Sequence, residues 1–262
     1  MRTDVHRGKR VALALTAAAV ACAALPLLAP FDPLVVGIGP RLGTPGAFHW
    51  FGTDELGRDV LSRVLYGTAA TVSISVTALF SSLAIGVVAG ALAGYYYERW
   101  PDRIFLWVTD FLAAIPFIIL IASVLSLWGP GLIHAYIVLT TVIWASPARV
   151  MRAEVIQTLP REWVMADRVA GLSDWRIMTR KVMPQCMNSA MTFSLAYLPD
   201  VIALEAGLSF LGLGLQPPQP GLGKMIFDGM ANITSAWWLM AAPAAALFLV
   251  VLAIRFVADS WI

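Results

Sequence analysis

Charged residues are scarce in this sequence of 262 residues. Asp, Glu, Lys and Arg make up 13% of the chain, whereas hydrophobic residues make up 59%. This balance is too apolar for a soluble domain of this length, so composition predicts an integral membrane protein with α-helical spans. The net charge of +2 is too small to point to nucleic acid or to another charged partner.

Cysteine and histidine are also rare. Cys22 falls in an apolar run and Cys186 beside a basic segment, which excludes a disulfide framework. The three histidines are scattered without the spacing of metal ligands, so we expect no metal site. They are His6, His49 and His134.

Motifs for catalysis and nucleotide binding are missing as well. A phosphate-binding loop needs Gly, four residues, Gly-Lys and then Ser or Thr, but Gly223-Lys224 is followed by Met225. No nucleophile, base and orienting group can be assembled from the sequence motifs. We therefore expect no catalytic residue and no cofactor bound by this chain.

Six long apolar segments are present instead, and each is a candidate transmembrane helix. The first follows four basic residues, which is also typical of a removable signal, and Ala21-Cys22 resembles a lipoprotein cleavage site. We favour an uncleaved span, because the segment is long enough to cross a bilayer and provides the entry orientation for the others. The fourth is short and is expected to borrow residues on both sides. The segments are Val11 to Leu28, Thr68 to Tyr97, Ile104 to Leu127, Leu132 to Trp144, Asn188 to Leu211 and Ala236 to Phe256.

Basic residues are distributed unequally between the two sides of this arrangement. With the N-terminus inside, fourteen of the eighteen Lys and Arg residues fall on the inner side. The four on the outer side are Arg41, Arg58, Arg63 and Lys224. The positive-inside rule then predicts that both termini face the cytoplasm.

Seven of the eighteen basic residues lie in one stretch, from Arg149 to Met187. It contains no helix breaker between Glu162 and Gly171, which predicts one short helix capped by that glycine. Ser173 is placed to cap a second helix, and Pro184 to limit it. The plainer interpretation is a solvated charged loop between spans.

Two outer segments also have a pattern of their own. Residues 51–67 place Val60, Leu61, Val64 and Leu65 at helical spacing among charged residues, which favours an amphipathic helix at the interface. Residues 205–223 indicate a helix end followed by a loop stiffened by prolines.

The predicted spans contain three acidic residues and one row of glycines. Asp110, Asp200 and Glu205 would each have to face protein, water or headgroups, because a carboxylate in lipid is costly. No Lys or Arg within a predicted span offers them a partner, which argues against an ion relay. Gly86, Gly90 and Gly94 share one helix face and favour close packing inside the subunit over a dimer interface.

Three sequence blocks resemble one family. The spacing of Ala166, Gly171 and Pro184 resembles the EAA loop of binding-protein-dependent ABC importer permeases, although Met165 stands where the family usually has Glu and Asp167 where it has Ala. Residues 52–63 and 205–220 resemble two signatures of the C-type subunits of dipeptide and oligopeptide importers. The resemblance extends from about Trp50 to Phe256.

The resemblance implies a type I ABC importer permease fold with two parts. Residues 1–67 would hold the N-terminal span and the outer amphipathic segment. Residues 68–262 would form the permease core of five spans, with a coupling loop at 149–187 and an outer loop at 212–235. Residues expected to couple to the ATPase are Glu162, Trp163, Met165, Ala166, Asp167, Arg168, Gly171, Leu172 and Pro184. Residues expected to face the binding protein are Gln216, Pro217, Pro218 and Pro220.

The resemblance also implies partners and a location. In such a system a binding protein delivers substrate, a homologous permease completes the pathway, and two ATPase subunits bind ATP and Mg²⁺ beneath it. The location would be the bacterial inner membrane and the substrate a dipeptide or oligopeptide. Nickel chelates, glutathione or opine-like compounds are alternatives within the family. A proton-coupled secondary transporter is the alternative from another class, but the sequence shows no internal repeat.

Overall fold

The computed structural model describes residues 17–259 except 19 and 130, and within that part every regular element is a helix. A 3-10 turn at Leu25–Leu28 precedes the longer elements. Those are α1 (Val60–Tyr95), α2 (Trp100–Ala114), α3 (Phe117–Trp128), α4 (Leu132–Ile143), α5 (Ala145–Thr158), α6 (Glu162–Val169), α7 (Asp174–Ile177), a π-helical turn (Met178–Val182), α8 (Met183–Ala196), α9 (Leu198–Phe210), α10 (Leu222–Met230) and α11 (Trp238–Asp259).

Three described helices are long and apolar enough to cross a membrane. They are Val60–Tyr95, Leu132–Thr158 and Trp238–Ala258. A fourth is added if the helices Asp174–Ala196 and Leu198–Phe210, bent by 46° at their junction, are one span. Residues 11–16 and 19 of the predicted first span lie outside the described residues, and the described part is helical from 20 to 24 before the 3-10 turn.

The predicted third span, from Ile104 to Leu127, is two helices. α2 ends at Ala114 and α3 begins at Phe117. Ile115 between them is extended, with φ −89° and ψ 127°. Pro116 explains the interruption, because a proline disfavours helical backbone at the residue before it and lacks the N–H that would continue the helix.

The predicted fourth span, from Leu132 to Trp144, was expected to borrow residues on both sides, but the helix extends only beyond Trp144. α4 and α5 together form one apolar helix from Leu132 to Thr158. The stretch from Arg149 to Thr158, which the sequence analysis assigned to the coupling loop, is therefore part of a helix that is long and apolar enough to cross a membrane. Its basic residues find acidic partners on α2, which the sequence pattern did not reveal.

The predicted interfacial helix is also not separate, because it forms the first turns of α1. Asp59 precedes the helix, and its carboxylate accepts a hydrogen bond of 2.7 Å from the backbone N–H of Ser62. His49 bonds the other oxygen of the same carboxylate at 2.9 Å. The resulting helix of 36 residues is about 54 Å long, which exceeds the ~30 Å hydrocarbon core of a bilayer.

The glycine row of α1 packs against α5 within this chain, as the sequence favoured. A β-carbon on Gly86 would lie 2.9 Å from the carbonyl oxygen of Trp144, and one on Gly94 would lie 2.8 Å from the β-carbon of Val155. A β-carbon on Gly90 would overlap the carbonyl oxygen of Ala148. The two backbones therefore approach closely only because these positions lack side chains.

We predict that Gly90→Ala destabilises the protein by about 1–3 kcal/mol, because its methyl group overpacks the junction of α1 and α5. Gly207→Ala is the matched control, since its β-carbon would meet no atom within 4 Å. Melting in detergent, followed by tryptophan fluorescence, measures both. Equal melting temperatures for the two variants would contradict the packing argument.

Candidate functional site

The charged loop that connects α5 with α7 contains the short helix α6. α5 ends at Thr158, Pro160 lies in the following turn, and α6 begins at Glu162. Val164 is fully buried and fixes α6 to a cluster formed by α1, α5 and α8. The loop is therefore a packed element rather than a solvated linker.

Gly171 ends α6 as the sequence predicts. Its φ is +83°, a conformation that favours glycine. The N–H of Gly171 donates to the carbonyl of Arg168 at 3.0 Å, and that of Leu172 donates to the carbonyl of Asp167 at 3.1 Å. These two bonds form a Schellman motif, which satisfies carbonyls at the helix end and sharply reverses the chain.

The second helix differs from the prediction at both ends. Ser173 occupies the cap position, but its side chain makes no capping bond to the described residues. Pro184 does not limit the helix, since α7 continues through the π-helical turn Met178–Val182 into α8. A π turn widens the helix and changes its bonding immediately before Pro184, where a proline would otherwise disrupt the backbone.

Two ion pairs hold α6 against the following segment. Both carboxylate oxygens of Asp167 lie 2.6 Å from the ammonium of Lys181. Arg168 donates to Asp174 at 2.8 Å, and the hydroxyl of Tyr95 also donates to this carboxylate at 3.2 Å. The acid that is displaced from the usual family position therefore faces its own chain.

The opposite face of α6 is exposed and mostly apolar. Met165 is 50% exposed and Val169 is 90% exposed, and Ala166 lies between them. With Glu162 they occupy positions i, i+3, i+4 and i+7, which is one face of a helix. Sequence reasoning missed Val169, although this spacing could have revealed it.

Two of the remaining predicted loop residues, Trp163 and Leu172, are half-buried. Trp163 packs in part against the same buried cluster as Val164, and Leu172 does so from the turn after Gly171. Pro184 lies one helix farther along, outside the exposed face of α6. The structure therefore separates the predicted coupling residues into an exposed face and a supporting group.

The three acidic residues of the predicted spans have different surroundings. Asp110 accepts a bond of 2.9 Å from Arg149, a residue that the sequence analysis placed in the charged loop and not in a predicted span. Asp200 is exposed. Glu205 is buried and accepts a bond of 3.1 Å from Ser209, while its second oxygen lacks a hydrogen-bond partner among the described residues.

The outer proline segment is fixed by its own backbone and contains an unpredicted helix. The side-chain amide of Gln216 donates to the carbonyls of Gly212 and Gly214, both at 3.0 Å. Pro217 and Pro218 are exposed and Pro220 is buried. The predicted outer loop at 212–235 includes α10, which is buried against α9 because Gly223 packs directly on its backbone.

A family model supports the interpretation of these elements. Residues 86–262 match the family described as the binding-protein-dependent transport system inner membrane component. The chain belongs to this family. It is therefore a multi-pass inner-membrane component of ABC importers, non-catalytic itself, and family membership implies ATPase and membrane partners.

The chain is also similar in sequence to individual transport permeases. The chain is 36% identical over 258 residues to a protein of Brucella abortus named as a peptide transport system permease, covering 97% of this chain and 86% of that one. It is 35% identical to the dipeptide transport system permease protein DppC of Bacillus subtilis, over 84% of this chain and 68% of that one.

A solved structure confirms the fold. The inward-facing MetNI methionine ABC transporter matches with a TM-score of 0.57 at 21% identity, covering 76% of this chain and 94% of that chain. The type I importer permease fold is thus confirmed at an identity that supports the fold alone.

We predict that Gly171→Val exposes the charged loop to trypsin. A β-branched residue at this φ costs about 1–2 kcal/mol, which corresponds to roughly fivefold to thirtyfold more frequent opening and cleavage at Arg168. Gly171→Asn is the control, because asparagine tolerates this conformation. Identical cleavage rates for both variants would show that the backbone of Gly171 does not hold the loop closed.

Proposed function

We propose that this chain is the transmembrane permease subunit of an ATP-driven importer for dipeptides and oligopeptides. A homologous permease completes the pathway, two ATPase subunits bind to the inner side, and an extracytoplasmic binding protein delivers the peptide. The names of the two similar permeases, one for peptides and one for dipeptides, support this substrate class. Both termini face the cytoplasm in this proposal, in agreement with the distribution of basic residues.

The observation that carries the coupling role is the exposed apolar face of α6. A surface formed by Met165, Ala166 and Val169 is costly in water and is typical of a site that a partner covers. ATP and Mg²⁺ are bound by that partner and not by this chain. The ATPase subunit is the partner that family membership implies on the side of the charged loop.

The supporting contacts of α6 explain how force would pass into the membrane. Asp167 and Lys181 join α6 to the helix that continues into α8 and then α9. A displacement of α6 therefore moves this segment as well. The closed ATPase dimer favours one permease state only if it contacts α6 differently in the two states, and this difference is the coupling free energy.

The outer proline segment would contact the binding protein that delivers the peptide, rather than the ATPase. Pro217 and Pro218 are exposed in the segment that Gln216 fixes. A stiff loop loses little conformational entropy when a binding protein docks on it. We place the binding-protein contact there.

We predict that Asp167→Lys and Lys181→Asp each lower the number of peptides transported per ATP hydrolysed, because like charges separate α6 from the helix that follows. The expected fall is roughly fivefold, which corresponds to ~1 kcal/mol for an exposed pair. The double exchange restores opposite charges and is expected to recover coupling. Proteoliposomes that contain the whole transporter measure uptake and hydrolysis together. Unchanged coupling in both single variants would remove the role of this ion pair.

Purification of the complex from its native membrane in mild detergent tests the proposed assembly. Mass spectrometry should find a second permease and two ATPase subunits, and peptide-loaded binding protein should stimulate hydrolysis. A chain that is isolated alone, with uptake driven by a proton gradient and independent of ATP, would contradict the proposed function.

A further inference from the structure

Three junctions between helices meet at one cavity of about 370 Å³. Ile115 and Pro116 line it where α2 gives way to α3, Ala145 lines it at the start of α5, and Tyr197 lines it where α8 gives way to α9. The helix is interrupted at the first and third of these junctions, whereas α4 and α5 continue as one helix through the second. In a membrane protein interrupted helical backbone is tolerated where it is buried in protein or faces a water-filled cavity.

One ion pair lies at this cavity. Arg149 lines the cavity, and its guanidinium donates to Asp110 at 2.9 Å. The two side chains are 44% and 69% exposed, respectively. Arg149 belongs to the spanning helix Leu132–Thr158, and charges in such a segment face protein or water rather than lipid. The pair is therefore expected to face protein or water beside this cavity.

A second ion pair between the same two helices has the properties of a structural contact. Arg152 binds Asp102 through two nitrogens, at 2.5 and 2.9 Å, and the Asp102 side chain is only 3% exposed. This pair already fixes α5 to α2. The pair of Arg149 and Asp110 has one hydrogen bond and is far less buried within the subunit, so it has fewer contacts to lose when it exchanges partners.

We propose that Arg149 and Asp110 form a binding site for the two charged ends of a dipeptide during its passage. Arg149 binds the terminal carboxylate, Asp110 binds the terminal ammonium, and the two residues neutralise each other when the site is empty. The proposal rests on the proposed function as a peptide importer. Every charge has a partner in both states, so the exchange avoids leaving a charge unpaired in the membrane.

The chemistry of the pair suits a zwitterion. A guanidinium offers parallel N–H donors that match a carboxylate, which no uncharged residue can replace. Recognition of the ends leaves the peptide side chains free, so one site serves peptides of different sequence. Tyr197 and Ser146 add hydroxyl groups to the lining of the same cavity.

The test measures peptide binding to the permease and ATPase complex in nanodiscs, without its binding protein, by ligand-detected NMR. The probes are dialanine, its C-terminal amide and its N-acetyl derivative. Arg149→Gln should weaken dialanine binding by at least about tenfold but should not weaken binding of the amide, which has no carboxylate for Arg149 to bind. Asp110→Asn should also weaken dialanine binding by at least about tenfold but should not weaken binding of N-acetyl-dialanine, which has no ammonium group for Asp110 to bind. Arg149→Lys should restore part of the affinity, because it keeps the charge.

Arg103→Gln is the matched control, since Arg103 is an exposed arginine on α2 that does not line the cavity. It should change none of the dissociation constants. Absence of dialanine binding at millimolar concentrations in the wild-type complex would overturn the inference, as would equal losses for dialanine and its amide in Arg149→Gln. ATP-driven peptide uptake by the whole wild-type transporter separates this failure from failure of the proposed function.

Discussion

The close approach of α1 and α5 is the contact on which the other features depend. Three glycines of α1 give the space into which the backbone and side chains of α5 fit. α5 carries Arg149 at the cavity and Arg152 in the structural ion pair, and its end leads directly into the charged loop. A shift of α5 by the width of one methyl group would therefore move Arg149, Arg152 and the charged loop together, because packed interiors do not deform gradually.

The ion pair of Arg152 with Asp102 binds α2 to α5, and thereby to the packed pair of α1 and α5. Hydrogen bonds from Arg152 hold the pKa of the Asp102 carboxyl below its usual range, and the backbone N–H of Glu98 contributes in the same direction. A carboxyl group whose pKa is lowered by folding stabilises the fold fully at any pH above its pKa in the unfolded chain. This stabilisation is lost as the pH falls through the lowered pKa of the folded state. At neutral pH the link between α2 and α5 is therefore complete, and it limits how far these helices separate.

Local sequence signals predicted the parts of the site that depend on local geometry. Gly171 was identifiable because few other residues adopt its backbone conformation, and the glycine row of α1 because its spacing repeats every four residues. The partner of Asp110 was not predictable in this way, since Arg149 is 39 positions distant and lies in a segment whose charges suggested a loop. Pro184 misled for a related reason, because its effect on the helix depends on the π turn before it. The family resemblance identified the loop, but it did not show which face of α6 is exposed.

Some helices of the subunit are continuous and others are interrupted, and the two kinds are expected to differ in rigidity. α1 is continuous over 36 residues and packs closely along α5, so we expect these two helices to form the rigid part of the subunit. α2 with α3 and α8 with α9 are each divided close to the cavity, where a small change in backbone angles tilts one half relative to the other. α6 is joined to the divided chain through Lys181 rather than only to the rigid pair. A displacement at the charged loop therefore reaches the cavity through the segment that is able to bend, and this is the mechanical requirement for opening a pathway on one side at a time.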